Sequence, residues 1–181
     1  MTSSRTRRAP QPLDKDRLEA LALHYAARYA TTRAKLHKYL ARKIAERGWS
    51  EENPADIAAL VSRLVDLRYV DDAAYARMKA GAMQRRGLGQ RRIGQMLLHA
   101  GVEENDRLPA LETSDRERWE AAERLARRKR IGPYGLDNPD RPTREKHIAM
   151  FLRAGHDMAT ARAWAYSASG DAPPCPDEDA I

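Results

Sequence analysis

The spacing of apolar residues constrains this chain more than any other feature. From Leu18 to about Trp164 they recur every three or four positions, which predicts α-helices rather than strands. Aromatic residues make up only 6% of the chain, and Ala, Leu and Arg dominate, a mixture that favours helix over sheet. The sequence therefore predicts an all-α fold, with enough apolar residues (42%) to bury a core.

Residues that start and stop helices divide this pattern into nine segments. The predicted starts are Thr31 or Thr32, Asn53-Pro54, Asp71 or Asp72, Asp115 and Thr143. Glycines end several segments, and the stretch from Gly132 to Pro142 predicts a loop. The sixth segment has the weakest pattern, because Pro109 should break it.

Three short blocks resemble one another at similar intervals. Residues 32–36, 89–93 and 143–147 each begin with a capping or flexible residue, carry a base, and end on a position whose i+4 partner is apolar. A recurring pattern of this kind indicates stacked helical units, although arginine-rich helices can also look alike by chance. We predict three tandem three-helix units at 13–70, 71–113 and 114–168, between a disordered basic segment (1–12) and a disordered acidic tail (169–181).

The residues around the middle of the chain resemble the RecX family of regulators of the RecA recombinase. The resemblance rests on Tyr69-Val70-Asp71-Asp72 with Tyr75-Ala76, then Arg86-Gly87-Leu88-Gly89, and Arg91-Arg92-Ile93 through Leu97 to Gly101-Val102. It implies three three-helix units in a curved array. It also implies binding to the RecA filament on DNA, with suppression of ATP hydrolysis and strand exchange. Arg68 departs from the family pattern, which usually has a glycine before the aromatic residue.

Positive charge indicates where such a protein would meet its partner. The net charge is +7, which favours a polyanionic partner. Three basic clusters are candidates for contact with the filament or DNA, although each alone could be a solvated helix face: Arg33, Lys35, Lys38 and Arg42; Arg85, Arg86, Arg91 and Arg92; Arg127, Arg128, Lys129 and Arg130.

The second cluster is the strongest candidate of the three. Gly87 and Gly89 lie between its arginine pairs, and we expect them to let the backbone approach a partner closely. Arg91 and Arg92 should lie in the first turn of a helix, where free N–H groups favour an anion. The cluster should therefore bind phosphate or an acidic protein surface.

Other residue patterns argue against catalysis and cofactors. The five histidines are scattered, and Cys175 is the only cysteine, so we expect no metal site, no disulfide within the chain and no cofactor. Asp71-Asp72 fits helix capping better than a catalytic carboxylate pair. The tryptophans Trp49, Trp119 and Trp164 fit packing better than base stacking. Gly87-Leu88-Gly89 lacks the lysine of a phosphate-binding loop.

The sequence thus favours a cytoplasmic, monomeric, non-enzymatic regulator that binds the RecA filament and, alone, binds DNA weakly and in a salt-sensitive way. It would modulate recombination, DNA repair and the SOS response. No secretory signal and no membrane-spanning run is expected. The alternative is a stand-alone helical transcription factor, and a hydrolase or transferase is a third, weaker hypothesis.

Overall fold

The computed structural model describes residues 11–136 and 138–176. These residues form nine α-helices and one short 3-10 turn, which confirms the predicted all-α fold. The helices are α1 (Lys15–Arg28), α2 (Arg33–Arg47), α3 (Ile57–Asp66), α4 (Asp72–Arg85), α5 (Gln90–His99), α6 (Glu104–Leu111), α7 (Asp115–Lys129), α8 (Arg141–Ala154) and α9 (Met158–Tyr166). No helix in the described ranges is long and apolar enough to cross a membrane.

The chain divides into two compact units, and the first (Met1–Asp72) contains α1 to α3. Its core is formed by Leu18 on α1, Leu36 and Leu40 on α2, and Leu64 on α3, all buried. The spacing of Leu36 and Leu40 places both on one helix face, as the sequence pattern predicts.

The second unit (Ala73–Ile181) contains two hydrophobic clusters. One is formed by α4 to α6, with Ile93 and Leu97 buried on α5. The other lies among α7 to α9 and is filled by Phe151 and Trp164, which are almost wholly inaccessible to solvent. With the first unit, these clusters give three successive groups of three helices, each with its own apolar centre.

Two helices begin at residues other than those predicted. Helix α3 is capped by Asp56, whose carboxylate accepts the Ala59 N–H at 2.8 Å, so Asn53-Pro54 precedes the helix and does not open it. Helix α8 is capped by Asp140, which accepts the Thr143 N–H at 3.0 Å. In both cases an aspartate near the predicted start supplies the better cap, because its carboxylate reaches the N–H three residues later.

Pro109 lies inside α6 and does not end it. A proline in the second turn removes only one helical hydrogen bond, the one to the Asn105 carbonyl, and the helix ends soon afterwards at Leu111. The short helix therefore tolerates the residue that we expected to break it.

Arg68 has a left-handed backbone conformation, with φ of 62°. It follows α3, and its N–H donates to the Val65 carbonyl at 2.9 Å in the turn that closes the helix. Only glycine adopts this conformation without steric cost. The departure from the family pattern at this position therefore leaves a strained arginine where a glycine would fit.

The end of the described chain is packed rather than free. We expected residues 169–181 to be a disordered tail, but the Trp119 indole N–H donates to the Pro173 carbonyl at 3.3 Å, and Cys175 is buried. The Gly170 N–H also donates to the Pro133 carbonyl at 2.9 Å. Residues 169–176 thus lie against the third helix group, whereas the expectations for 1–10 and 177–181 fall outside the described residues.

Candidate functional site

The second basic cluster surrounds the turn that joins α4 to α5. Arg85 ends α4, Arg86 begins the turn, and Arg91 and Arg92 lie in the first turn of α5. All four arginines are exposed to solvent, although the turn between them is not. The cluster thus consists of charged side chains around a buried backbone.

The two glycines of this turn pack against the chain itself, which corrects our expectation that they admit a partner. A Cβ on Gly87 would lie 2.8 Å from the Leu125 nitrogen on α7. A Cβ on Gly89 would lie 2.4 Å from the Gly155 carbonyl carbon, just after α8. Since real Cβ atoms do not approach backbone so closely, glycine is needed at both positions for helix packing within the second unit.

The start of α5 meets the end of α8, and hydrogen bonds join the two helix ends. The Gly89 N–H donates to the Ala154 carbonyl at 2.9 Å, and the Arg91 N–H donates to the Gly155 carbonyl at 3.3 Å. The negative end of one helix dipole therefore faces the positive end of the other. This arrangement corrects our expectation that these N–H groups are available to an external anion.

His156 reinforces this junction from the third helix group. Its Nε2 lies 3.1 Å from the Gly87 carbonyl, and since a carbonyl only accepts, Nε2 must carry the proton. Burial lowers the pKa of His156, and its hydrogen bond to Gly87 and the charge of Asp157 only partly oppose that effect. In the sequence, His156 is one of five scattered histidines, and nothing local marks its role because its partner lies 69 residues away.

The arginine side chains of the second cluster have no ion pair with an acidic residue in the described part of the chain. Arginines elsewhere on the surface commonly do, such as Arg124 with Glu120 at 3.0 Å and Arg63 with Glu19 at 3.0 Å. Among the described residues, no ion pair therefore neutralises the arginines around the α4–α5 turn.

The third cluster lies at the end of α7 and approaches the second. The Arg128 guanidinium donates to the backbone carbonyl of Arg86, which brings the two clusters into contact. Arg127, in contrast, pairs with Glu123 at 3.0 Å and also contacts the Tyr134 hydroxyl. A hydrogen bond from Tyr134 lowers the pKa of Glu123, so this carboxylate stays charged and offsets Arg127.

Bases at the end of α7 also have a purely structural explanation. Arg127, Arg128 and Lys129 occupy the last turn, where positive charge interacts favourably with the helix dipole. Arg130 follows in a left-handed conformation with φ of 54° and caps the helix. The third cluster is therefore a weaker candidate than the second.

The first cluster is divided by the geometry of α2. Lys35, Lys38 and Arg42 share one face at helical spacing, whereas Arg33 projects about 200° from Lys35. Arg33 turns to the buried carboxylate of Asp72, with Nε 3.4 Å from Oδ2. The remaining three residues form a basic stripe along α2.

The Asp71-Asp72 pair stabilises local structure. The Asp72 carboxylate accepts the backbone N–H of Arg33 at 2.9 Å, so it satisfies a donor in the first turn of α2. Asp71 forms an ion pair with Arg68 at 3.6 Å. Within the described ranges, the structure contains no group of three His, Cys, Asp or Glu residues that could hold a metal ion.

The tryptophans contribute to packing, as the sequence suggested. Trp164 is buried, and its ring centroid lies 5.5 Å from that of Trp119. Trp49 is half-buried, and its indole N–H donates to the Asn53 carbonyl at 2.7 Å. Their surroundings leave no reason to assign them to nucleotide stacking.

In the described residues, nine helices gathered around three separate apolar centres, with exposed arginines around the α4–α5 turn, define a class of small, basic all-α proteins. Comparison with known proteins narrows this class. Residues 71–111, which contain the α4–α5 turn, match the model of the second three-helix domain of RecX.

The chain belongs to the RecX family. It is 34% identical over 164 residues to the regulatory protein RecX of Myxococcus xanthus (strain DK1622), an alignment that covers 84% of this chain and 86% of the relative. It is 32% identical over 139 residues to the regulatory protein RecX of Agrobacterium fabrum (strain C58), covering 74% and 73%.

The fold is also similar to that of solved RecX structures. The crystal structure of RecX from Lactobacillus salivarius superposes with a TM-score of 0.62 at 24% identity, covering 81% of this chain and 90% of the other. A second crystal structure, of a regulatory protein RecX, has a TM-score of 0.61 at 22% identity and covers 80% and 70%. At this identity, the likeness establishes the fold alone.

Proposed function

We propose that this protein regulates the RecA recombinase by binding its filament on DNA, and that binding suppresses ATP hydrolysis and strand exchange. In this role it modulates recombination, DNA repair and the SOS response in the cytoplasm. It acts as a monomer and by binding, not by catalysis. Membership of the RecX family supports the proposal, together with the positive surface described above.

One observation supports the proposed location of the interface. The arginines around the α4–α5 turn lie within the part of the chain that matches the RecX domain, and they lack acidic partners among the described residues. DNA phosphates and acidic protein surfaces would supply the missing negative charge. The stripe Lys35, Lys38 and Arg42 on α2 is a second contact region.

The rigidity of the turn suits this role. Because Gly87 and Gly89 are packed against α7 and α8, the adjoining arginines project from a backbone that is held in place on both sides. Fixed charges lose less conformational entropy on binding than charges on a mobile loop. A protein seated in the filament would block access of a second DNA strand and oppose the rearrangements that accompany nucleotide turnover, provided that it binds one filament state more tightly.

The DNA-dependent ATPase of the cognate RecA, measured while this protein is titrated, tests the function. We expect turnover and strand exchange to fall at substoichiometric to stoichiometric ratios. If both stay unchanged while a particular duplex sequence is bound tightly, the protein is a transcription factor instead.

A charge reversal tests the interface. We expect Arg91→Glu with Arg92→Glu to weaken filament binding strongly and to reduce its salt dependence, since about one counterion is released for each phosphate that a base neutralises. Thermal stability should change little, because both side chains are exposed.

The matched control for this variant is Arg7→Glu with Arg8→Glu, which changes the net charge by the same amount outside the described residues. Filament affinity is measured for both variants at two salt concentrations. Equal losses would reduce the proposed interface to nonspecific charge.

A further inference from the structure

Beyond the core, two tyrosines, Tyr25 and Tyr29, continue the apolar stripe of α1. Leu18 and Ala22 are buried, Tyr25 one turn later is half-buried, and Tyr29 at the end of the helix is 50% exposed. Leu18 and Ala22 belong to the core of this unit, and Tyr25 packs against it. Packing within the unit leaves half of the Tyr29 surface uncovered.

Tyr29 belongs to a group of three rings from two helices. Tyr25 stacks on Tyr39 of α2, with ring centroids 4.1 Å apart and planes inclined by 18°. Tyr29 lies against Tyr25 at 5.2 Å and 49°. Tyr39 and Tyr25 are thereby fixed against the core, and they support the exposed ring from behind.

Cations surround the rings. The Arg28 guanidinium lies 5.7 Å from the Tyr29 ring centroid, and Arg42 and Lys43 each lie 5.8 Å from that of Tyr39. Glu46 pairs with both Arg42 and Lys43, so one negative charge faces two positive ones. The patch formed by Tyr25, Tyr29, Tyr39, Arg28, Arg42 and Lys43 is therefore aromatic and net positive.

We propose that this tyrosine patch binds single-stranded polynucleotide, with a base stacked on Tyr29 and the neighbouring phosphates bound by Arg28, Arg42 and Lys43. The chemistry favours a single strand over a duplex, because only an unpaired strand presents the faces of its bases to an aromatic ring. The Lys35–Lys38–Arg42 stripe runs beside the rings on α2 and extends the positive surface along the strand.

The inference deepens the DNA contact of the proposed function, but its test needs no recombinase. Binding of the full-length protein to a fluorescent oligothymidylate of ~15 nucleotides is measured by anisotropy. Tyr29→Ala should weaken binding by roughly 5- to 150-fold, the loss expected when one stacked base is removed. Tyr29→Phe should bind nearly as the parent does, since it keeps the ring.

Tyr166→Ala is the matched control. Tyr166 also lies at a helix end, is also 50% exposed, and has the Arg144 guanidinium 5.2 Å from its ring centroid. In the described residues it has no aromatic neighbour to support it. Its removal should leave oligonucleotide affinity unchanged.

Three results would overturn the inference: unchanged oligonucleotide affinity of Tyr29→Ala, equal losses in Tyr29→Ala and Tyr166→Ala, or an equal loss of Tyr29→Ala toward a duplex of the same length. If Tyr29→Ala keeps its affinity for the strand but no longer binds the filament, the patch contacts protein instead. An oligouridylate of equal length separates RNA from DNA as the strand that is preferred. Failure of the ATPase titration alone would overturn the proposed function and leave this result intact.

Discussion

Replacing Gly89 with alanine should strongly destabilise the second unit. The backbone φ of Gly89 is −83°, a value that alanine adopts without strain, so the effect of the substitution is steric. The new methyl group would lie 2.4 Å from both the carbonyl carbon and oxygen of Gly155, and 2.5 Å from the His156 nitrogen. All three are backbone atoms and cannot rotate away.

The expected loss of stability follows from the groups that the added methyl group must displace. Forcing a methyl group into a packed site costs about 1–3 kcal/mol, and separating the two helix ends also weakens two hydrogen bonds, each worth about 0.5–1.5 kcal/mol. These bonds are the ones from Gly89 to Ala154 and from Arg91 to Gly155. We therefore expect the free energy of unfolding to fall by about 2–6 kcal/mol.

Urea unfolding followed by tryptophan fluorescence measures this change, because Trp119 and Trp164 lie in the second unit. Gly81→Ala in α4 is the matched control. Its new methyl group would meet only the flexible end of Arg85, at 3.3 Å, and alanine in a helix interior should gain up to about 1 kcal/mol over glycine. The same substitution should thus have opposite signs at two positions eight residues apart.

A Gly89→Ala protein as stable as the parent would refute the reasoning, since it would mean that α5 and α8 are not held in close contact. A loss of stability in Gly81→Ala similar to that in Gly89→Ala would also refute it. In that case the second unit would be sensitive to any added methyl group.

Two further predictions concern single residues. Arg68→Gly should raise the free energy of unfolding, measured in urea, by about 0.5–1 kcal/mol. The substitution removes the backbone strain of a left-handed arginine and loses only the exposed ion pair with Asp71. An unchanged or lower free energy of unfolding would show that the turn is not strained. Because the pKa of His156 is lowered in the folded protein, its imidazole is protonated in the unfolded chain at a higher pH than in the folded one. The contribution of neutral His156 to stability is therefore complete above about pH 6.5 and is lost as the pH falls below that value. His156→Gln keeps a donor for the Gly87 carbonyl but removes the titrating group. In thermal unfolding, this variant should lose less stability than the parent between about pH 7 and 5. An identical pH dependence of the two proteins would contradict this assignment.

Local signals in the sequence determined the helices. A capping box at Ser114 and Glu117 opens α7 at the predicted Asp115, and α9 spans the predicted Met158–Tyr166. Periodicity also identified core positions such as Leu97 and Phe151. These features succeed because helix formation and its termination depend on residues within about one turn of each other.

Tertiary structure decided how the conspicuous residues are used. In sequence, Gly87 and Gly89 suggest a flexible turn between basic pairs, yet their partners are Leu125 and Gly155, far along the chain. In sequence, Arg33 resembles its basic neighbours on α2, but in the structure it pairs with the carboxylate of Asp72, which lies 39 residues further along the chain. A glycine or an arginine has the same local signature whether it faces solvent, a partner or its own chain.

The candidate interface shows the same division. The sequence alone determined which arginines lie near the α4–α5 turn, because their order along the chain places them there. Only the folded structure distinguished those whose charge is compensated, as at Arg127, from those around the turn that have no acidic partner among the described residues. Charge compensation depends on distances of a few ångströms between residues that are remote in sequence, and only the packing of the helices fixes those distances.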